Sequence, residues 1–173
     1  LEKVARTGKP VIISTGVANL ADIELALATL RQAGTKEIIV LKCTSAYPTP
    51  PEECNLRTIP DIKKRFGVLA GLSDHTLGTA TALCSVALGA SFIEKHFNLD
   101  DEVDTVDSFF SSGIKEFKHM VQEIRLIEKA LGVVSYELTP SARSSLKGRR
   151  SLYVSSVIKK GDEFTSVNIQ CVR

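Results

Sequence analysis

Four apolar, β-like runs in this chain each break off into polar or small residues, and the breaks recur at nearly regular intervals. They fall at Ser14, Ser45, Ser73–His75 and His96. The steps between them, roughly 31, 28–30 and 21–23 residues, each hold one strand, one helix and two short loops. Parallel strands need crossovers of that size, whereas antiparallel hairpins do not. The repeat therefore constrains the chain to an α/β fold with a parallel sheet. A complete eight-unit (β/α) TIM barrel takes about 250 residues, so four units in a row amount to half of one.

Local signals agree with this division. The run Pro10–Ser14 is short, apolar and closed by Thr15-Gly16, and Glu37–Cys43 is β-branched and continuous, as strands covered on both faces are. Asn19 is placed to cap a helix whose Leu20, Ile23, Leu27 and Leu30 share one side and which Gly34 stops. Prolines 48, 50 and 51 exclude a helix or central strand across 46–53. The pattern then predicts a helix over 55–65 ended by Gly67, a strand to Ser73, a small-residue helix over 79–88 and a strand over 90–95. A long amphipathic helix follows over about 115–131, with Phe117, Val121, Ile124, Ile127 and Leu131 on one stripe. Past Gly132 the pattern changes: 140–150 reads as a linker, 151–157 as a strand and 159–162 as a turn. The opening ten residues carry no initiator Met and read as the tail of a helix running into a strand, as in a piece of a longer protein.

Composition removes several function classes. The net charge of +2 gives no reason to invoke nucleic acid, and the basic run Lys147-Gly148-Arg149-Arg150 reads as a solvated loop. No apolar stretch reaches the about 18 residues that span a bilayer, and the N-terminus does not read as a signal peptide. Cys43, Cys54, Cys84 and Cys171 form no CxxC pair, and Cys43 and Cys84 lie in apolar segments, where buried reduced thiols are the ordinary reading. A cytoplasmic location is expected.

The chemistry concentrates at the strand ends, where active-site groups of parallel α/β proteins gather. Ser73 and His75 are two residues apart, as are Glu94 and His96, so each pair points to one face of its strand. If the two strands are neighbours, His75 and His96 converge on one divalent metal, with Asp74 or Glu94 placed to orient an imidazole. His119 lies off the apolar stripe of its helix and reads as exposed. Hydroxyl residues also collect at the strand ends: Ser14, Thr15, Thr44, Ser45, Ser73 and Thr76. They suit phosphate or carboxylate oxygens, though for Thr15, Thr44 and Thr76 caps on the helices that follow are the expected role. Ser45 and Tyr47 share parity, and Tyr47 suits either a sugar or packing of its loop. Asp107, in Val106-Asp107-Ser108-Phe109-Phe110-Ser111, is an acid among apolar residues.

Taken together, these runs resemble the sialic acid synthase family, which condenses phosphoenolpyruvate (PEP) with an amino sugar to make a nine-carbon ulosonic acid. The residues that carry the resemblance are Ile13-Ser14-Thr15-Gly16, Lys42-Cys43-Thr44-Ser45-Ala46-Tyr47-Pro48-Thr49-Pro50, Gly71-Leu72-Ser73-Asp74-His75-Thr76-Leu77-Gly78, Ala87-Leu88-Gly89-Ala90, Glu94-Lys95-His96-Phe97 and Arg150-Ser151-Leu152-Tyr153-Val154. Their wording is most similar to pseudaminic acid synthases, with neuraminate and legionaminate synthases close by.

The resemblance implies that residues 1–135 form the second half of a TIM barrel. It makes 136–173 a linker and the beginning of the connection to an antifreeze-like domain, in a protein that is a homodimer at full length. It implies Mn2+ on His75 and His96, with Mg2+ or Co2+ as alternatives. Ser14 and Ser73 match residues that contact PEP, and Tyr47 and Asp107 match residues that contact or approach the sugar. Ser45 stands where neuraminate synthases carry Asn. One departure is Thr105-Val106-Asp107, where the family has Gly-Pro-Asp or Gly-Glu-Asp. Another is that the lysines holding PEP phosphate in the family lie upstream of Leu1, so this chain alone is expected to bind PEP poorly. Two further readings remain: a non-catalytic half-barrel that pairs with another chain, and a metal-dependent TIM-barrel hydrolase, which would need more ligands.

Overall fold

Each interval between strand ends is filled by a helix. The computed structural model describes residues 1–99 and 105–173, in two units, Leu1–Gly132 and Val133–Arg173. The first unit contains α1 (Glu2–Ala5), β1 (Val11–Ser14), α2 (Leu20–Gln32), β2 (Ile38–Cys43), α3 (Thr58–Phe66), β3 (Leu69–Asp74), α4 (Ala80–Ala87), β4 (Phe92–Lys95) and α5 (Ile114–Leu131). Its strands pair in the order β1-β2-β3-β4, all parallel. An order that never reverses belongs to a barrel wall, whereas a doubly wound sheet reverses at its switch point. The unit is a parallel half-barrel, as the spacing of the strand ends predicts.

One face of the sheet is packed. Val11, Ile38, Val40, Ala70 and Leu72 meet Leu27 and Leu30 of α2 and Ile59 and Ile62 of α3 in a single apolar cluster. The other face carries the alternate residues and stays partly open, with Ile12 at 52%, Leu69 at 48% and Phe92 at 38% exposure. Asn19 caps α2 through a reciprocal pair of bonds: its Oδ1 accepts from Asp22 N at 3.1 Å, and Asp22 Oδ2 accepts from Asn19 N at 2.9 Å. We expect Asn19→Ala to cost about 1 kcal/mol, read as a fall in Tm of roughly 3 °C for a chain of this size.

Several local expectations are corrected. The helix expected over 55–65 begins only at Thr58, because Asn55 takes a left-handed conformation (φ 46°) and Pro51–Glu53 form a separate 3-10 turn. Cys84 is exposed, since the buried side of α4 consists of Ala82, Ser85 and Val86. Cys43 and Cys54 are buried, and burial together with the nearby Asp74 carboxylate pushes the Cys54 thiol up. Alkylation of the folded protein at pH 8 should therefore modify Cys84 and Cys171 and spare Cys43 and Cys54, as peptide mass mapping would read out.

In the second unit, the segment expected as a bare linker forms a 3-10 helix, Ser141–Gly148. The strand expected over 151–157 is shorter: β5 (Ser151–Val154) pairs antiparallel with β6 (Ile169–Val172), and a four-residue partner supports no more. No residue of this unit is buried. Among the described residues, no helix is long and apolar enough to cross a membrane.

Candidate active site

Strand register stacks the open face in layers. Ile12, Ile39 and Leu69 form the lowest, followed by Ser14, Leu41, Gly71 and Phe92, then by Cys43, Ser73 and Glu94. The face thus passes from apolar to polar toward the strand ends. His75 and His96 cap the stack, with ring centroids 5.2 Å apart. Two-residue periodicity and neighbouring parallel strands produce this convergence, as their shared parity predicts.

Each imidazole has an oxygen near Nδ1. His75 Nδ1 lies 3.1 Å from the carbonyl of Thr44, and His96 Nδ1 lies 3.5 Å from Asp107 Oδ2. A carbonyl only accepts, so this bond calls for the proton on Nδ1, and in that neutral tautomer the lone pair is on Nε2. A carboxylate facing His96 favours the same tautomer there. Metal-binding histidines are held in this way, by a carbonyl or carboxylate on the nitrogen that does not ligate. The two side chains therefore fit a divalent ion. Among the described residues, no group of three or more His, Cys, Asp or Glu side chains is spaced to hold one, and the two imidazoles are the nitrogen donors that converge.

The surroundings are aromatic and tightly bonded. Tyr47 lies tilted on His75 at 4.4 Å and edge-on to His96 at 6.0 Å, while Phe110 packs on His96 at 4.7 Å and on Tyr47 at 5.4 Å. The His75 carbonyl accepts from Thr49 N, and the His96 carbonyl accepts from Ser112 N, each at 2.9 Å. One layer below, Ser73 Oγ donates to Glu94 Oε1 at 2.7 Å. Lys42, on the helix side of β2, donates to the Cys43 carbonyl at 2.8 Å and to Thr44 Oγ1 at 3.0 Å. Burial pushes its ammonium below the usual lysine range, opposed by the Cys43 and Cys54 thiols.

The structure brings together His75, His96, Tyr47 and Asp107, with Ser73 beneath them. Ser14 ends β1, two strands away from β3, and Ser45 lies beyond the end of β2, beside Gly16. Asp74 and Glu94 do not orient the imidazoles as expected. Asp74 has the opposite parity to His75 and pairs with Lys95 on the helix side, while Glu94 is occupied by Ser73. Nor do the threonines cap helices: Thr15 Oγ1 accepts from Cys43 N, Thr44 Oγ1 donates to the Glu53 carbonyl, and Thr76 Oγ1 donates to Asp74. His119 is exposed. Sequence reasoning missed Phe110 and the Thr44 carbonyl. Phe110 reaches His96 through the 3-10 turn Ser108–Phe110, which periodicity does not describe, and a backbone carbonyl has no residue signature.

Against this geometry, the sequence profile of the NeuB family matches residues 1–136. Over its whole length the chain is 46% identical to an uncharacterized protein of Methanocaldococcus jannaschii, covering 52% of that protein. Over 98% of its length it is 42% identical to a pseudaminic acid synthase of Campylobacter jejuni, covering 50% of that protein. The chain thus spans about half the length of the curated relatives it matches. A crystal structure of the N-acetylneuraminic acid synthetase of Leptospira borgpetersenii superposes on 86% of the chain with a TM-score of 0.75 at 33% identity, and the match covers 52% of that structure.

Proposed function

The chain belongs to the NeuB family, and from that premise we propose that it carries the metal-holding half of the active site of a nonulosonic acid synthase. The reaction is the condensation of PEP with an N-acetylated amino sugar of the pseudaminic, legionaminic or sialic acid routes. The observation that supports this reading is the convergence of His75 and His96, each with an oxygen near Nδ1, at the polar end of the layered face. When bound, a divalent ion, Mn2+ in the first instance, supplies Lewis acidity toward a carbonyl oxygen.

The chain's own groups do the rest of what this half contributes. Thr44 and Asp107 set an oxygen near each Nδ1, an arrangement that favours the tautomer presenting Nε2. Tyr47 and Phe110 wall the site with rings that restrict water and offer a face to the sugar. Ser14 places a hydroxyl on the open face for the carboxylate and phosphate oxygens of PEP, and Ser73 does so once its O–H turns from Glu94 to the ligand. Tyr47 and Asp107 orient the open-chain sugar so that its aldehyde meets the methylene carbon of PEP. A carbon–carbon bond forms there, water adds to the central carbon of PEP, and phosphate leaves with carbon–oxygen cleavage.

The test is release of inorganic phosphate from PEP by the full-length protein that contains this chain. Release that requires both Mn2+ and an N-acetylated amino sugar, with a nine-carbon acid seen by mass spectrometry, is the expected result. Phosphate release without the sugar would assign the site to hydrolysis instead.

A further inference from the structure

The residue before each imidazole is charged, and the two charges meet behind the sheet. Asp74 precedes His75 and Lys95 precedes His96, and the two are direct partners in the β3–β4 register. Their side chains point to the helix side, where Lys95 Nζ lies 3.0 Å from Asp74 Oδ2, each side chain 1% exposed. We infer that this ion pair is a positioning clamp that sets the separation and aim of His75 and His96 from the opposite face of the sheet. The inference rests on the reading of those histidines as a metal-binding pair.

The bonds around the pair close on His75 from both of its chain neighbours. Lys95 Nζ also donates to the Thr76 carbonyl at 2.7 Å, so one ammonium grips the residues on either side of His75. Asp74 Oδ1 accepts from Thr76 N at 3.0 Å and from Thr76 Oγ1 at 2.8 Å, which folds the chain tightly around His75. Thr81, in the first turn of α4, contacts both Asp74 oxygens at 3.2 Å and bonds to the Thr76 hydroxyl, tying the loop to that helix. Because Lys95 is joined to His96 by one peptide bond, the network links the backbone of β4 to the loop that carries the other imidazole.

A purely stabilising role explains this arrangement poorly. Two ions stripped of water at the centre of a fold give little net stability, and well-packed apolar residues of similar volume serve as well. A salt bridge does, however, impose a fixed distance and direction that an apolar contact lacks. At this place that distance is the spacing between two strand ends, and the imidazoles project from the next residue on each.

The experiment compares the unsubstituted protein with Asp74→Leu/Lys95→Met, which replaces the pair by apolar side chains, and with the near-isosteric Asp74→Asn. Two readouts are taken: Mn2+ affinity by EPR, and nuclear Overhauser contacts between the His75 and His96 ring protons in metal-free protein. With three histidines in the chain, these signals are readily assigned. The expected result is that the double variant keeps its backbone amide spectrum while the ring contacts weaken and Mn2+ binds at least about tenfold less tightly, as on loss of an outer partner of a metal site. Unchanged ring contacts, with affinity within twofold, would overturn the clamp. Should the double variant unfold, Asp74→Asn decides on the same two measurements and the same limits. If the unsubstituted protein binds no Mn2+, the metal reading falls, and the ring contacts alone then decide the clamp.

Discussion

His75→Ala and His96→Ala are each expected to abolish stoichiometric Mn2+ binding, because each removes one of the two imidazoles proposed as ligands. The affinity should fall more than about 100-fold, beyond the 10–100-fold that loss of an outer partner costs. Both variants should still fold, because the main apolar cluster lies on the other face of the sheet. His75 is the more exacting case: it is 7% exposed and packed against Tyr47, so its removal also leaves a cavity. Titration followed by EPR of the free ion, beside a thermal melt of each variant, separates lost ligation from lost structure. Stoichiometric binding retained by either folded variant would remove that histidine from the site and end the two-imidazole reading.

Gly71→Ala is expected to be among the most destabilising single substitutions in the half-barrel. A Cβ there would sit 2.4 Å from the Phe92 carbonyl oxygen, 2.6 Å from Leu41 Cδ2 and 2.9 Å from Phe92 Cβ. The backbone of Gly71 is ordinary, so the cost is wholly steric. A leucine methyl can move, but the Phe92 oxygen belongs to the main chain of the neighbouring strand. Overpacking of this kind costs about 1–3 kcal/mol, and contact with backbone puts this case near about 3 kcal/mol, a fall in Tm of roughly 10 °C. Because the clash pries β4 from β3, the ring contacts between His75 and His96 should weaken as well. A melt within about 2 °C of the unsubstituted protein would show that β4 shifts aside at little cost.

The half-barrel was legible because its parallel strands are covered well enough to read as continuous apolar runs, most plainly Ile38–Cys43. The pairing of His75 with His96 was legible for a related reason: strand parity is a rigid rule, and both residues lie within one step of a strand. The same rule excludes Asp74 as a partner for His75, since adjacent residues face opposite sides. What stayed hidden depends on loops and main-chain atoms. Phe110, which the sequence did not single out, and Asp107, whose approach to His96 it did not foretell, arrive there by way of a turn whose path is set by backbone bonds, among them those linking Ser112 to His96 and Asn98. The Thr44 carbonyl gains its role from the direction in which the chain leaves β2, which side-chain chemistry does not encode.

The alternation of Glu94, Lys95 and His96 also bears on how the chain finds its fold. Sliding β4 by one residue against β3 would turn Glu94 and His96 toward the apolar cluster and Lys95 toward the open face. That error buries an unpaired carboxylate and leaves Asp74 without its cation, two penalties that hydrophobic contacts do not repay. A misregistered strand is thus rejected by its own charges, and the residues that build the site also act as its proofreaders during folding.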